Sequence, residues 1–158
     1  MIHVRSSPQR GSVAADDRSF VRDLGRRCAM ASVSSLRYAP EAIVGEAFDR
    51  LCEIVYAQSH VALIAQREER RVGFLLMLDQ LPDEVTSLPQ AFVAYMGVEP
   101  ECRYVGVGTA LLTAAEDEAR RRRLSYMALM VTEENRAARS LYERSGYQTE
   151  RRLLGKAL

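Results

Sequence analysis

No apolar run in this chain approaches the roughly 20 residues needed to cross a bilayer; runs such as "FLLML" at 74–78 fall far short. The opening stretch "MIHVRSSPQR" lacks the apolar centre of a secretory signal. Charge is nearly balanced, with a formal net charge of +1, so no global field draws the chain to nucleic acid or an anionic membrane. Cysteine is sparse. Cys28, Cys52 and Cys102 are odd in number and lack metal-ligand spacing, which argues against a disulfide framework and against a metal site. Free thiols fit a reducing compartment, so a cytoplasmic protein is expected. There is no internal repeat and no low-complexity tail.

What is present suits one domain over residues 1–158. A chain of this size buries roughly 70% of its unfolded surface. Apolar residues make up 47% and charged residues 27%, the composition of an ordinary globular domain.

The N-terminal part reads as strand, two helices and a hairpin. "IHVRSS" alternates and stops at Pro8. Asp16 or Asp17 is expected to cap a helix with Phe20, Val21, Leu24 and Cys28 on one face. Pro40 opens a second helix with apolar Ile43, Val44, Ala47, Phe48, Leu51, Ile54 and Val55. "HVALIAQ" and "VGFLLML" flank the charged turn "REERR" as an antiparallel pair.

The C-terminal part reads as a parallel unit. "AFVAYMGV" (91–98) and "LSYMALMV" (124–131) are apolar throughout, as in strands covered on both faces. Between them a helix from Thr109 turns Leu111, Leu112, Ala115 and Ala119 inward and carries the acid-first pairs Glu116–Arg120, Asp117–Arg121 and Glu118–Arg122. "NRAARSLYERSGY" is a short helix ended by Gly146, and "YQTERRLL" a last strand. The expected order is β-α-α-β-β-β-α-β-α-β, an α/β (α+β) fold with a mixed central sheet.

"RYVGVG" (103–108) is therefore a strand-to-helix turn. The first amides of a helix lack intrahelical acceptors and carry partial positive charge. Gly106 and Gly108 permit close backbone approach, so the turn is either a phosphate seat or a plain tight turn. It is not a P-loop, because Thr109-Ala110 follows Gly108. Nor is it a dinucleotide fingerprint, because Leu111 holds the place of its last glycine and "ALMV" supplies no acid after the next strand.

Asn135 and Tyr142 lie seven residues apart, two helical turns or ~10 Å, with the small Ala138 between them. Asn135 is either a helix cap or a ligand contact, and Tyr142 either a core tyrosine or a ligand contact.

"VEPECRYVGVGTALL" followed by "NRAARSLYERSGY" resembles the Gcn5-related N-acetyltransferases (GNAT) over roughly residues 91–150. Their Q/R-x-x-G-x-G/A signature is met by Arg103, Gly106 and Gly108. Val98 and Pro100 precede it, and Asn135, Tyr142, Gly146 and Tyr147 complete it. The resemblance implies acetyl-CoA, or another acyl-CoA, as co-substrate, and no metal. Its pyrophosphate would lie on the backbone of Arg103, Tyr104, Val105, Gly106, Val107, Gly108 and Thr109. Pantetheine would bond Met96, Gly97 and Val98 by strand addition, with Asn135, Ala138 and Tyr142 also lining the ligand. A bulge tolerated by Gly97 would splay the parallel strands. Residues 1–90 would form the acceptor side and 91–158 the acetyl-CoA side. The acceptor would be an amine on a small molecule or peptide, and a homodimer is left open.

The chemistry that follows is attack of a neutral amine on the thioester, with Tyr142 as proton donor to the leaving sulfur and a strand N–H near Val98 for the oxyanion. A neutral amine is readily available from an α-amino group of pKa ~8, and much less so from a lysine of pKa ~10.4. Many members of the family carry a glutamate base on a splayed strand; neither strand here has a carboxylate. Glu99, Glu101, Glu133 and Glu134 lie nearby and are expected to be solvated or capping. Their absence from the strands keeps a second class in view, a non-catalytic acyl-CoA-binding or regulatory protein. Arg37 and Tyr38 are acceptor contacts by family position, and Arg120 or Arg121 could reach the 3′-phosphate. Cys102 and His60 are assigned no chemistry.

Overall fold

Alternating side chains on a strand face opposite sides of a sheet, so the nearly unbroken apolar runs of the central strands demand cover on both faces. The computed structural model, which describes residues 1–8 and 12–158, provides that cover. Its elements are β1 (Ile2–Ser6), α1 (Ser12–Cys28), α2 (Glu41–Tyr56), β2 (His60–Arg67), β3 (Arg70–Leu78), β4 (Ala91–Val98), α3 (Val107–Arg121), β5 (Met127–Leu129) and α4 (Arg136–Arg144). Short 3₁₀ turns cover Ala29–Ser32 and Pro100–Cys102.

The sheet runs β1-β2-β3-β4-β5, antiparallel except for the parallel β4–β5 pair. On one face Val21 and Leu24 of α1 and Phe48, Cys52 and Val55 of α2 pack on Ile64, Phe74 and Leu76. On the other, Leu111, Leu112, Ala115 and Ala119 of α3 pack on Leu63, Leu75 and Val93, as the sequence pattern requires. The hairpin turn is tighter than the five-residue charged run: only Glu68 and Glu69 lie outside the strands, both at positive φ (51° and 65°), the geometry of a two-residue turn.

Several expectations are corrected. Asp16 and Asp17 do not cap α1, which starts at Ser12. Asp17 is instead 1% exposed, accepting two bonds from Arg5 at 2.8 Å, one from Ser7 and one from Arg71. Ile43 and Ile54 of α2 face outward, since only a narrow stripe around Phe48 and Val55 reaches the sheet. The α3 helix starts at Val107, not Thr109, because Gly106 already turns the chain with φ 93°. Arg121 pairs with Glu118, and Asp117 with Arg120, so of the three expected pairs only Glu116–Arg120 and Glu118–Arg122 form.

The strand expected at 124–131 is three residues long, and none of it is fully buried. The strand expected at 147–154 does not form, leaving five strands among the described residues. Leu153 and Leu154 are 90% and 87% exposed, so the local alternation finds no apolar surface to bury. The segment is instead tied down by Arg151, which pairs with Asp83 and Glu84. Cys28, Cys52 and Cys102 are free thiols. No described helix is long and apolar enough to cross a membrane.

Candidate active site

The site is built where the sheet comes apart. β4 and β5 pair only at Ala91–Met127, Phe92–Ala128 and Val93–Leu129. On its other side β4 continues along β3 to Val98, except for one irregularity: Leu76 faces Tyr95 and Met77 faces Val93, so Ala94 is an extra residue. This bulge sharpens the local twist at the point where β5 is left behind. The expected bulge at Gly97 is thus displaced to Ala94. Gly97 has a different reason to be glycine: a Cβ there would lie 2.7 Å from the Phe74 ring. Residues 94–98 consequently present a backbone edge without a strand partner on the β5 side.

In line with that edge lies the start of α3. Gly106 caps it in the left-handed conformation and offers no side chain to the first helical amides, and the first turn holds no acid. Ala110 N–H bonds Gly106 O at 2.9 Å, so the intrahelical ladder begins only there. A Cβ on Gly106 would have only Ile2 near it, at 3.8 Å; this glycine serves conformation. A Cβ on Gly108 would lie 2.8 Å from Leu141 and 3.8 Å from Met96, so this glycine lets α4 approach α3 and β4 closely. Tyr104 also has positive φ (62°), and both Tyr104 and Val105 are exposed. The turn amides are open to an anion.

The Arg103 side chain folds back: Nε donates to Val98 O at 3.4 Å, and the guanidinium lies 3.8 Å from Cys28 Sγ. On α4, Asn135 is the N-cap, its Oδ1 accepting from Ala138 N–H at 3.2 Å. Tyr142 is half-buried, edge-on to Tyr147 with centroids 5.9 Å apart. Burial and the nearby Tyr95 phenol push its pKa up to about 12.

The candidate carboxylates are committed elsewhere. Glu99 is buried, not solvated as expected, and takes both guanidinium nitrogens of Arg27 at 2.8 Å. Glu101 pairs with Arg70, Glu133 with Arg139, and Glu134 accepts from Ser35 N–H and hydroxyl. Arg120 and Arg121 are engaged by acids of their own helix. His60 is buried beside Gln58 O and the Tyr56 ring.

Residues that the sequence pattern did not single out complete the site. Tyr95 of β4 wedges its ring against Phe48 and Phe74 and places its hydroxyl 3.3 Å from Ser32 Oγ. Ser32 O in turn accepts from Thr132 Oγ1 at 2.5 Å. The segment after α1 therefore bridges β4 and the loop after β5. The only sequence signal was one hydroxyl in an otherwise apolar strand.

Comparison with known proteins agrees with this architecture. The acetyltransferase (GNAT) family profile matches residues 30–147, and the chain belongs to that family. A curated relative, the uncharacterized N-acetyltransferase YhfO of Bacillus subtilis (strain 168), is 32% identical over 91 residues, 57% of this chain and 60% of that protein. Among solved structures, a putative acetyl transferase from Pyrococcus furiosus superposes with TM-score 0.82 at 21% identity over 100% of both chains. The ribosomal-protein-alanine N-acetyltransferase of Brucella melitensis biovar Abortus 2308 gives 0.67 at 21% identity, over 100% of this chain and 99% of its own. The aminoglycoside N-acetyltransferase AAC(6')-Iy, solved with CoA, gives 0.69 at 16% identity, over 100% and 95%. These structural likenesses establish the fold.

Proposed function

We propose that this chain is an acetyl-CoA-dependent N-acetyltransferase, moving an acetyl group to an amine acceptor by direct attack through a tetrahedral intermediate. The observation that carries the proposal is the parting of β4 from β5 after Val93, which leaves a free strand edge near the start of α3, where the cap Gly106 has no side chain to bond the first amides. The bound thioester supplies an activated acetyl group. The chain binds and orients it: the edge at Met96, Gly97 and Val98 offers backbone groups to an amide-bearing arm, and the amides from Tyr104 to Thr109 offer an anion seat, the Arg103 N–H being taken by Pro100 O. Asn135 and Ala138 line the same path, and Tyr142 holds a proton for the departing sulfur. A phenol with pKa about 12 stays protonated throughout the neutral range, as a donor must. With no carboxylate on either parting strand, the acceptor has to arrive as the neutral amine.

The test is a thiol-release assay with pure protein, acetyl-CoA and a panel of small amines, peptides with free N-termini and aminoglycosides. Two of these classes are chosen because neighbours of this fold are named for them. Acetylated product from any one of them, lost in Tyr142→Phe, supports the proposal. Tight acetyl-CoA binding without turnover would favour a non-catalytic acyl-CoA-binding protein instead.

A further inference from the structure

Residues 99–103 join the free edge of β4 to the turn that opens α3, and the end of α1 grips this connection at both ends. Glu99 directly follows β4, is buried, and accepts from both terminal nitrogens of Arg27 at 2.8 Å, across 72 residues of chain. The neighbouring Cys28 places its Sγ 3.9 Å from Val98 O and 3.8 Å from the Arg103 guanidinium. Within the connection, Glu99 N–H bonds Val72 O and Cys102 N–H bonds Glu99 O, both at 2.9 Å. Cys102 is buried in the core of the α3 layer, whereas Arg27 ends a helix of the α1–α2 layer. The connection is thus held from both faces of the sheet.

We infer that Arg27 and Glu99 are positioning residues for the co-substrate: their buried pair fixes the spacing between the strand edge at 94–98 and the anion seat at 104–109, so that one molecule of acetyl-CoA can occupy both at once. This rests on the acetyltransferase proposal above. Neither side chain touches the reacting atoms. They act through the backbone, Glu99 being the residue at which the chain leaves β4 and turns toward α3.

The physical reason is that a ligand with two binding ends gains from the second end only when the protein holds both subsites at the matching distance. The anion seat itself does not need the pair, because α3 is anchored by the buried Leu111, Leu112 and Ala115. The edge likewise keeps its bonds to β3. Loosening Glu99 therefore leaves each subsite intact and costs their joint use. A second tie on the same turn is weaker: Arg70 and Glu101 pair at 2.6 Å, but both side chains are exposed. The buried pair is the one whose loss the turn cannot absorb.

The test compares a ligand that spans both subsites with one that fills only the anion seat: acetyl-CoA by calorimetry, and its nucleotide end alone, adenosine 3′-phosphate 5′-diphosphate, by NMR titration. Glu99→Gln keeps the shape but sets an amide N–H against a guanidinium N–H, donor facing donor. It should weaken acetyl-CoA about tenfold, within what one charge-assisted hydrogen bond contributes, and leave the nucleotide within about twofold of wild type. Arg27→Lys, which keeps the carboxylate paired to a cation, should show a smaller loss of the same kind, and it reads the same ratio if Glu99→Gln fails to fold. Glu101→Gln should change neither affinity. Unchanged acetyl-CoA affinity in the folded pair variants, or an equal loss for both ligands, would overturn the inference while leaving the acetyltransferase proposal standing. Failure of the wild-type protein to bind acetyl-CoA would overturn both.

Discussion

Val93 and Leu129 form the last pair between β4 and β5. One residue later, Ala94 bulges out of register with β3, and from there the two strands no longer share hydrogen bonds. Buried backbone groups are rarely left unpaired, so a strand edge abandoned in this way calls for a partner. Its continuation into a glycine-capped helix start suits a long ligand with amides at one end and phosphates at the other.

The first prediction concerns Tyr142. Replacement by Phe keeps the packing against Tyr147 and deletes the proton. Turnover should fall about 10²–10⁴-fold, with little change in acetyl-CoA affinity. Since the phenol's pKa is raised to about 12, the alkaline limb of the wild-type rate profile should lie well above the reference phenol value of ~10. A limb at the reference value, or normal turnover in the variant, would remove Tyr142 as the donor.

The two glycines of the turn should respond differently. Gly106→Val forces a β-branched residue to φ 93° and should cost about 1–2 kcal/mol of stability while weakening acetyl-CoA binding. Gly108→Ala meets only the flexible end of Leu141, at 2.8 Å, and should be the milder change in both respects. Thermal unfolding and calorimetry on the two variants distinguish them; equal effects would contradict the separate roles.

Asn135→Ala should lower stability by about 1 kcal/mol, because it deletes the cap on Ala138 N–H. Acetyl-CoA affinity should fall as well if the remaining amide reaches the ligand, as the family resemblance implies. A lower melting temperature with unchanged affinity would confine Asn135 to capping.

Asp17 governs acid stability. Burial raises its pKa, but hydrogen bonds from Arg5, Ser7 and Arg71 outweigh that and hold it below the usual carboxylate value. The folded-state pKa is depressed, so its contribution is full above the unfolded value of ~3.9 and is lost as pH falls through the folded value. Asp17→Asn should destabilise by about 3 kcal/mol at neutral pH and flatten the acid limb of a urea-unfolding series. A steeper acid limb would refute the assignment.

Local signals carried much of this architecture. Leu111, Leu112, Ala115 and Ala119 repeat at helical spacing and are all buried. The β2–β3 hairpin followed from two apolar runs around a charged turn. What sequence alone did not disclose depends on distant partners. Asp17 looked like a cap because its cations sit on β1 and β3, outside its own helix. The length of β5 is set by where β4 bends away, which no residue of "LSYMALMV" encodes. Leu153 and Leu154 alternate with nothing to cover them. Tyr95 was hidden as an aromatic in an apolar strand; its hydroxyl meets Ser32, a partner 63 residues away that no local pattern discloses.

Amide hydrogen exchange of the pure protein, with and without saturating acetyl-CoA, tests the central claim most directly. Addition of acetyl-CoA should slow exchange at residues 94–98 and 104–109, the free edge of β4 and the turn into α3, and leave β1 and the β2–β3 hairpin unchanged. Protection confined to other parts of the chain, or none at all, would contradict it.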